Sequence, residues 1–351
     1  MAGTVSVVAR PLFRHESSLR HETGSHPERA DRMVAIEREL EARDWCGFEP
    51  RDSPEATDEQ LLAVHPRPHV ERIRALARSG GGRIDADTIV SAGSWDAAVH
   101  GAGGAVAVVD ALLSGEADRA ASLHRPPGHH CETAEPMGFC LFNNVAIAAR
   151  HAVLVHGLRR VLVLDWDVHH GNGTAEIFAG SGDVLFTSIH EFPLYPGTGR
   201  PTETGHGPGE GLTVNLPVPG GTGDSTWVGM VEHVVAPIAR DWAPELVLVS
   251  AGYDAHADDP LAGCEVTDDG FARIAEATHR LATELGVPLG LVLEGGYDVD
   301  ALARSVARTL EAWSQDPAAR TAAEPVPEDD VVRRAREFFA PRWPSLAPAT
   351  G

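Results

Sequence analysis

The stretch Arg160–Thr174, "RVLVLDWDVHHGNGT", decides how the rest of the chain is read. Its first half is a short apolar run of valine and leucine. A run of that length bounded by polar residues is a strand buried on both faces, the kind that builds parallel sheets. Its second half sets Asp165, Asp167, His169 and His170 directly behind that strand. Acidic side chains at the end of a buried strand are costly unless they are paired or hold a metal. One stretch thus names both an element of the fold and the place to look for chemistry.

Outward from it the same signature recurs at "DVLFTSI", "LTVNLPV", "ELVLVSAG" and "LGLVLEGG", with "TVSVVA" near the start. Helical patterns separate most of these runs: "NNVAIAARHAVLVHG", "TWVGMVEHVVAPIARDW", "FARIAEATHRLATELG" and "VDALARSVARTLEAW". The alternation predicts a single α/β domain, a mostly parallel central sheet with helices on both faces. "SHPERADRMVAIERELEARDWCG" reads as a helix capped by Ser25 with Pro27 in its first turn. Residues 1–313 form the expected catalytic domain. Residues 314–351 form a Pro/Ala-rich tail whose "VVRRAREFF" helix packs on the domain or on a partner chain, which leaves a homo-oligomer open.

Composition excludes several function classes. The chain has 351 residues and carries 51 acidic against 29 basic side chains, a formal charge of -22. No basic face is on offer for nucleic acid. An acidic surface favours the approach of cationic substrates. No apolar stretch is read as long enough to cross a membrane, and the N-terminus does not read as a secretion signal, so a cytoplasmic location is expected. Four cysteines without a close pair argue against a disulfide framework or a zinc knuckle.

In open α/β sheets ligands bind beyond the carboxyl ends of the strands, and the polar clusters fall there. Asp167 and His169, in a D-x-H spacing, present oxygen and nitrogen to the same side while Val168 turns inward. Asp254, after "LVLVSAGY", supplies a third donor. One imidazole and two carboxylates plus water make an open catalytic site suited to Zn²⁺ or Fe²⁺. His129 and His130, after the stiff "RPP", can take a proton from water and return it to a leaving amine. Asp165 and Asn172 are placed to hold the outer nitrogens of that pair. Tyr297, on the Gly-Gly hinge of "LEGGYD", can donate to an oxyanion.

Together "RPPGHH", "GFCLFNNVAIAA", "DWDVHHGNGT", "SAGYDAHADDPLAG" and "LEGGYD" resemble the zinc-dependent histone deacetylase family, from about residue 10 to residue 313. "HETGSHPER" and the Asn of "HHGNGT" are similar to its class II branch and bacterial relatives. The resemblance implies an arginase-like fold and one Zn²⁺ on Asp167, His169 and Asp254. It implies hydrolysis of an N-acyl amide, such as acetyl-lysine or another acylated amine, with His130 as general base. It further implies Phe139 and Tyr195 as the aromatic walls of an acyl-lysine tunnel, with Gly138 beside them and Asp87 as a rim acid. K⁺ beside the zinc, through Asp165, Asp167, His169 and Ser188, belongs to the same implication. Leu261 stands where polyamine-specific relatives carry a glutamate, and a leucine cannot pair with an ammonium. Acetylpolyamine hydrolysis is the alternative activity, and non-catalytic acyl-lysine reading is disfavoured because every catalytic position is filled. His170 is left without a role.

Overall fold

The computed structural model describes residues 9–315 and 326–347. Among the described residues the strands are β1 (Pro11–Arg14), β2 (Glu49–Asp52), β3 (Gly81–Arg83), β4 (Ile89–Ser91), β5 (Arg119–Ser122), β6 (Val161–Asp165), β7 (Val184–Glu191), β8 (Thr213–Val218), β9 (Leu246–Ala251) and β10 (Leu289–Leu293). Eight of them form one sheet in the order β2-β1-β5-β10-β9-β6-β7-β8, and every neighbouring pair is parallel. β3 and β4 form a small antiparallel ribbon of their own.

The apolar runs are continuous because both faces of the sheet are covered. On β6, Val161 and Val163 point into one core with Val184, Phe186 and Leu248. Leu162 and Leu164 point into the other, with Leu185, Val247, Val249, Trp227 and Phe271. Burying each such side chain contributes about 1.5–3 kcal/mol, so a polar residue on either face would be expelled. Helices form over the expected segments, each started by a side-chain cap where one is available. Asn143 accepts from the Ala146 amide to open Asn144–Leu154, Thr267 from Gly270 to open Asp268–Leu285, and Asp298 from Ala301 to open Val299–Ser314. The segment "TWVGMVEHVVAPIARDW" is helical with one wide π turn, Val231–Val235, just before Pro237.

Three expectations shift. Residues 4–8 of "TVSVVA" lie outside the described residues; the strand begins later, at Pro11. Ser25 and Pro27 do not open a helix. The chain bends there because the Glu28 carboxylate turns inward to Arg125, 2.6 Å from both Nε and Nη2, and the helix starts only at Asp31 without a side-chain cap. The helix Ser94–Leu113 is long and apolar enough to cross a membrane, against the expectation that no stretch is. It serves instead as a core element, 78% of its apolar window being buried against the sheet and its neighbours.

The C-terminal helix Asp330–Phe339, capped by Asp329, lies on the domain, with Val332, Phe339, Trp343 and Leu346 buried in the core. Residues 316–325 of the tail lie outside the described residues.

Histidines packed as neutral rings make the fold acid-sensitive. Burial is the main cause that lowers His65 and His124 to about 3 and His190 and His279 to about 4. Their folded values lie below the unfolded value of about 6.5. The neutral ring is therefore favoured by the fold, and that stability is present above pH 6.5 and lost as pH falls toward 4. Each ring contributes a slope of up to about 1.4 kcal/mol per pH unit. Asp259 and Glu294, raised to about 7 chiefly by burial, take up protons over the upper part of this range and offset part of the loss. Calorimetry between pH 7.5 and 4.5 is expected to show a Tm that falls with increasing steepness below pH 6; a flat Tm would refute this assignment.

Candidate active site

The sheet order brings the polar loops together. β9 lies between β10 and β6, β5 flanks β10 and β7 flanks β6, so the loops after these five strands meet at one carboxyl edge. Asp167, His169 and Asp254 are buried with their donor atoms within 4.8 Å of one another. His169 Nδ1 lies 3.2 Å from Asp167 Oδ1 and 3.1 Å from Asp254 Oδ2. The remaining oxygens are held by backbone: Asp254 Oδ1 accepts from the Val168 amide at 2.9 Å and Asp167 Oδ2 from the Gly295 amide at 2.8 Å. A Cβ at Gly295 would sit 2.2 Å from Asp254 Oδ2. Only glycine lets this backbone approach so near the carboxylates.

The histidine pair stands beside this cluster. His129 Nδ1 is 3.0 Å from Asp165 Oδ2, and His130 Nδ1 is 2.8 Å from Asn172 Oδ1. The Asn172 amide is oriented by Nδ2 donating to Glu132 at 2.9 Å. Its oxygen therefore accepts from His130 Nδ1–H, and His130 Nε2 keeps a lone pair. The two rings are driven apart electrostatically. Burial opposes charge on both, but the carboxylates of Asp167 and Asp165 hold His129 well above the usual imidazole value. Burial, with His129 and His169 adding repulsion, holds His130 well below it.

Tyr297 lies in the loop that follows β10. Its ring meets Phe139 edge-on at 5.6 Å, and the Arg32 guanidinium lies 5.1 Å from its centroid. Burial pushes its phenol up, so it stays a donor. Tyr195 is edge-on to His130 at 5.1 Å. Phe139 is held at φ 70°, unusual for a bulky residue, by its amide donating to Thr88 Oγ1 at 3.3 Å. Gly138 precedes it at φ 55°, and a Cβ there would meet His130 Cδ2 at 2.5 Å. Asp87 neighbours Thr88, is half-buried and is pushed up by burial and by Asp85. Burial, then Asp87, Cys140, Asp85 and Glu132, push up the Tyr195 phenol, so this wall of the site faces an acidic rim.

Several residues that hold this geometry were given no role in the sequence reading, although Glu294 stands in one of its strand-end polar clusters. Glu294 accepts from the Gly128 amide at 2.6 Å, the His129 amide at 3.1 Å and Ser250 Oγ at 2.9 Å, fixing the histidine loop to β10 and β9. Asp259 takes the Tyr297 amide at 2.6 Å on one oxygen and the Leu261 amide at 3.0 Å on the other, tying those two residues together. Arg32 donates to the carbonyls of Gly296 and Glu294 and reaches Glu28, which Arg125 also clamps. Strong charges beside "HPER", "HRPPG" and "LVLEGG" were the available signal. His170 also finds a place: Nδ1 lies 2.8 Å from Thr198 Oγ1, and His190 Nε2 donates to the Gly199 carbonyl at 3.0 Å, so the two rings brace the loop that carries Tyr195.

Comparison with known proteins settles the family. The histone deacetylase domain model matches residues 26–313. The chain belongs to the histone deacetylase family. It is 38% identical over 323 residues to histone deacetylase 14, chloroplastic, of Arabidopsis thaliana, covering 87% of this chain and 76% of that protein. It is 43% identical over 252 residues to a histone deacetylase-like amidohydrolase of Pseudomonas aeruginosa, covering 70% of this chain and 66% of that one. The crystal structure of the HDA15 HD domain superposes with a TM-score of 0.88 at 33% identity, covering 97% of this chain and 96% of that one. The fold is thus the arginase-like α/β fold of the histone deacetylases, and the family activity is that of an amide-cleaving deacetylase.

Proposed function

We propose that this histone deacetylase family member is a zinc-dependent hydrolase that removes acetyl or related acyl groups from lysine-like side chains. The observation that carries the reading is the buried cluster of Asp167, His169 and Asp254 donors, with the His130 ring 5.8 Å from that of His169 and held neutral, and the Tyr297 phenol held protonated by burial and by Asp254 and Asp167. The donors fit a divalent ion on their chemistry. Two buried carboxylates face each other across a single imidazole, a charge arrangement that a cation relieves. Asp167, His169 and Asp254 would hold zinc, which when bound would supply Lewis acidity toward the acyl oxygen and lower the pKa of water.

The chain's own groups do the rest. His130 Nε2, its tautomer fixed by Asn172, takes a proton from water as the oxygen adds to the acyl carbon. His129, paired with Asp165, holds positive charge beside it. The Tyr297 hydroxyl donates to the oxygen that gains charge. The proton on His130 then passes to the amine nitrogen as the C–N bond breaks. Phe139 and Tyr195 sheathe the aliphatic stem, and Gly138 leaves His130 room to sit against it.

Support for K⁺ beside the zinc comes from the resemblance alone. The free, buried state of all four cysteines accords with a reducing, cytoplasmic setting.

The acidic rim of Asp85, Asp87 and Glu132 favours cationic substrates and supports acetylpolyamine cleavage as a second reading; Leu261, which cannot pair an ammonium, weighs against it. The test is kcat/KM for an acetyl-lysine peptide, an acetylated polyamine and a longer acyl-lysine peptide on metal-analysed protein. The peptide is expected to exceed the polyamine by about tenfold or more, about 1.4 kcal/mol in transition-state binding. The reverse order would transfer the assignment to polyamines, and no turnover of any of the three at full metal loading would overturn the enzymatic reading.

A further inference from the structure

Among the described residues, four groups of His, Cys, Asp or Glu bring their donor atoms within 4.8 Å of one another, and one of them is the candidate active site. In two of the other three, several donors are taken up by other partners. In His65, His69 and Cys131, His65 bonds the Thr133 carbonyl and the Asn143 amide through its two nitrogens, and His69 Nε2 bonds the Leu141 carbonyl. In Glu55, Asp96 and His100, the carboxylates stand 3.8 and 3.7 Å from one imidazole, and Arg20 takes Asp96. The last group is different. His151 Nε2 and His156 Nε2 both lie 2.8 Å from the same oxygen, Asp110 Oδ1.

We propose that Asp110, His151 and His156 form a second, solvent-open site for a first-row divalent cation such as Zn²⁺. Two imidazoles and a carboxylate converging from two helices are a three-donor set with room for water at further positions. Zn–N and Zn–O bonds of about 2.1 Å around a tetrahedral ion place neighbouring donors about 3.4 Å apart. The two contacts, 2.8 Å each, reach that spacing by opening about 0.6 Å, within the reach of side-chain rotation. The Asp110 side chain is 54% exposed, so the ion is reachable from solvent. The charge partners are also unusual for this chain. Many exposed carboxylates elsewhere are bridged by arginine, as in Arg240–Glu284 and Arg333–Asp330, whereas the charged partners of Asp110 among the described residues are the two imidazoles.

The site would clip together the ends of two packed helices. Asp110 is in the last turn of Ser94–Leu113, and His151 is in the last turn of Asn144–Leu154, with His156 just beyond it. The second helix begins at the Asn143 cap, which binds the Cys131 carbonyl and Thr174 beside the histidine pair. This ion is therefore structural and stands at the far end of that helix from the chemistry.

Equilibrium dialysis against buffered Zn²⁺ with elemental analysis tests it on the whole chain. Wild type is expected to bind two ions, and the His151→Ala/His156→Ala double variant one, with deacetylase activity retained. Asp110→Asn, which keeps the shape of the hydrogen-bonding group but removes its charge, is expected to bind one ion and, once the catalytic site is loaded, to lose the further rise in Tm that added Zn²⁺ gives wild type. Equal zinc content in wild type and the double variant would overturn the proposal. So would a further Tm rise, on added Zn²⁺ after the catalytic site is loaded, that Asp110→Asn keeps in full.

Discussion

Tyr297→Phe is expected to lower kcat by about 10²–10³-fold while leaving KM, metal content and Tm close to wild type. The phenyl ring keeps the edge contact with Phe139 and the place under Arg32, so the pocket is not disturbed. What disappears is the hydroxyl donor that the proposed mechanism assigns to charge developing only in the transition state, about 3–4 kcal/mol of stabilisation. An interaction absent from the ground state is lost from kcat and not from KM. Single-turnover and steady-state rates on an acetyl-lysine peptide check this. An unchanged kcat would remove Tyr297 from the chemistry, and a lower Tm would show that the ring has a packing role of its own.

The parallel core was legible because continuous valine and leucine runs have few other uses in a chain of this composition, and their polar ends mark the carboxyl edge of the sheet. Asp165, Asp167, His169 and Asn172 were legible as a group because one loop contains them all. The start of the first helix was not, since the Glu28 side chain that bends the chain answers to Arg125, 97 positions away. Glu294 and Asp259 were given no role for a related reason. Each is a buried carboxylate whose partners are backbone amides of other loops, and backbone amides leave no trace in residue identity. His170 acquired a role only when the Thr198 loop was placed against it.

Asp254→Ala is expected to abolish activity and to empty the catalytic metal site. Removing this carboxylate takes away one of three donors, so affinity should fall by more than the 10- to 100-fold that loss of a supporting partner costs. It also orphans the Val168 amide, which Asp254 Oδ1 accepts at 2.9 Å. Asp254→Asn separates the two effects, because an amide oxygen still accepts from Val168 but brings no charge to the ion. Both variants should be inactive and metal-poor if charge on the donor set is what holds zinc. If Asp254→Asn keeps a full catalytic zinc while Asp254→Ala loses it, the residue acts by shaping the loop. The measurement is cleanest in the His151→Ala/His156→Ala background, where the peripheral donors are gone and the expected zinc content falls from one ion to none. A full zinc complement in Asp254→Ala on that background would mean that Asp167 and His169 find their third donor elsewhere, and the ligand set would be wrong.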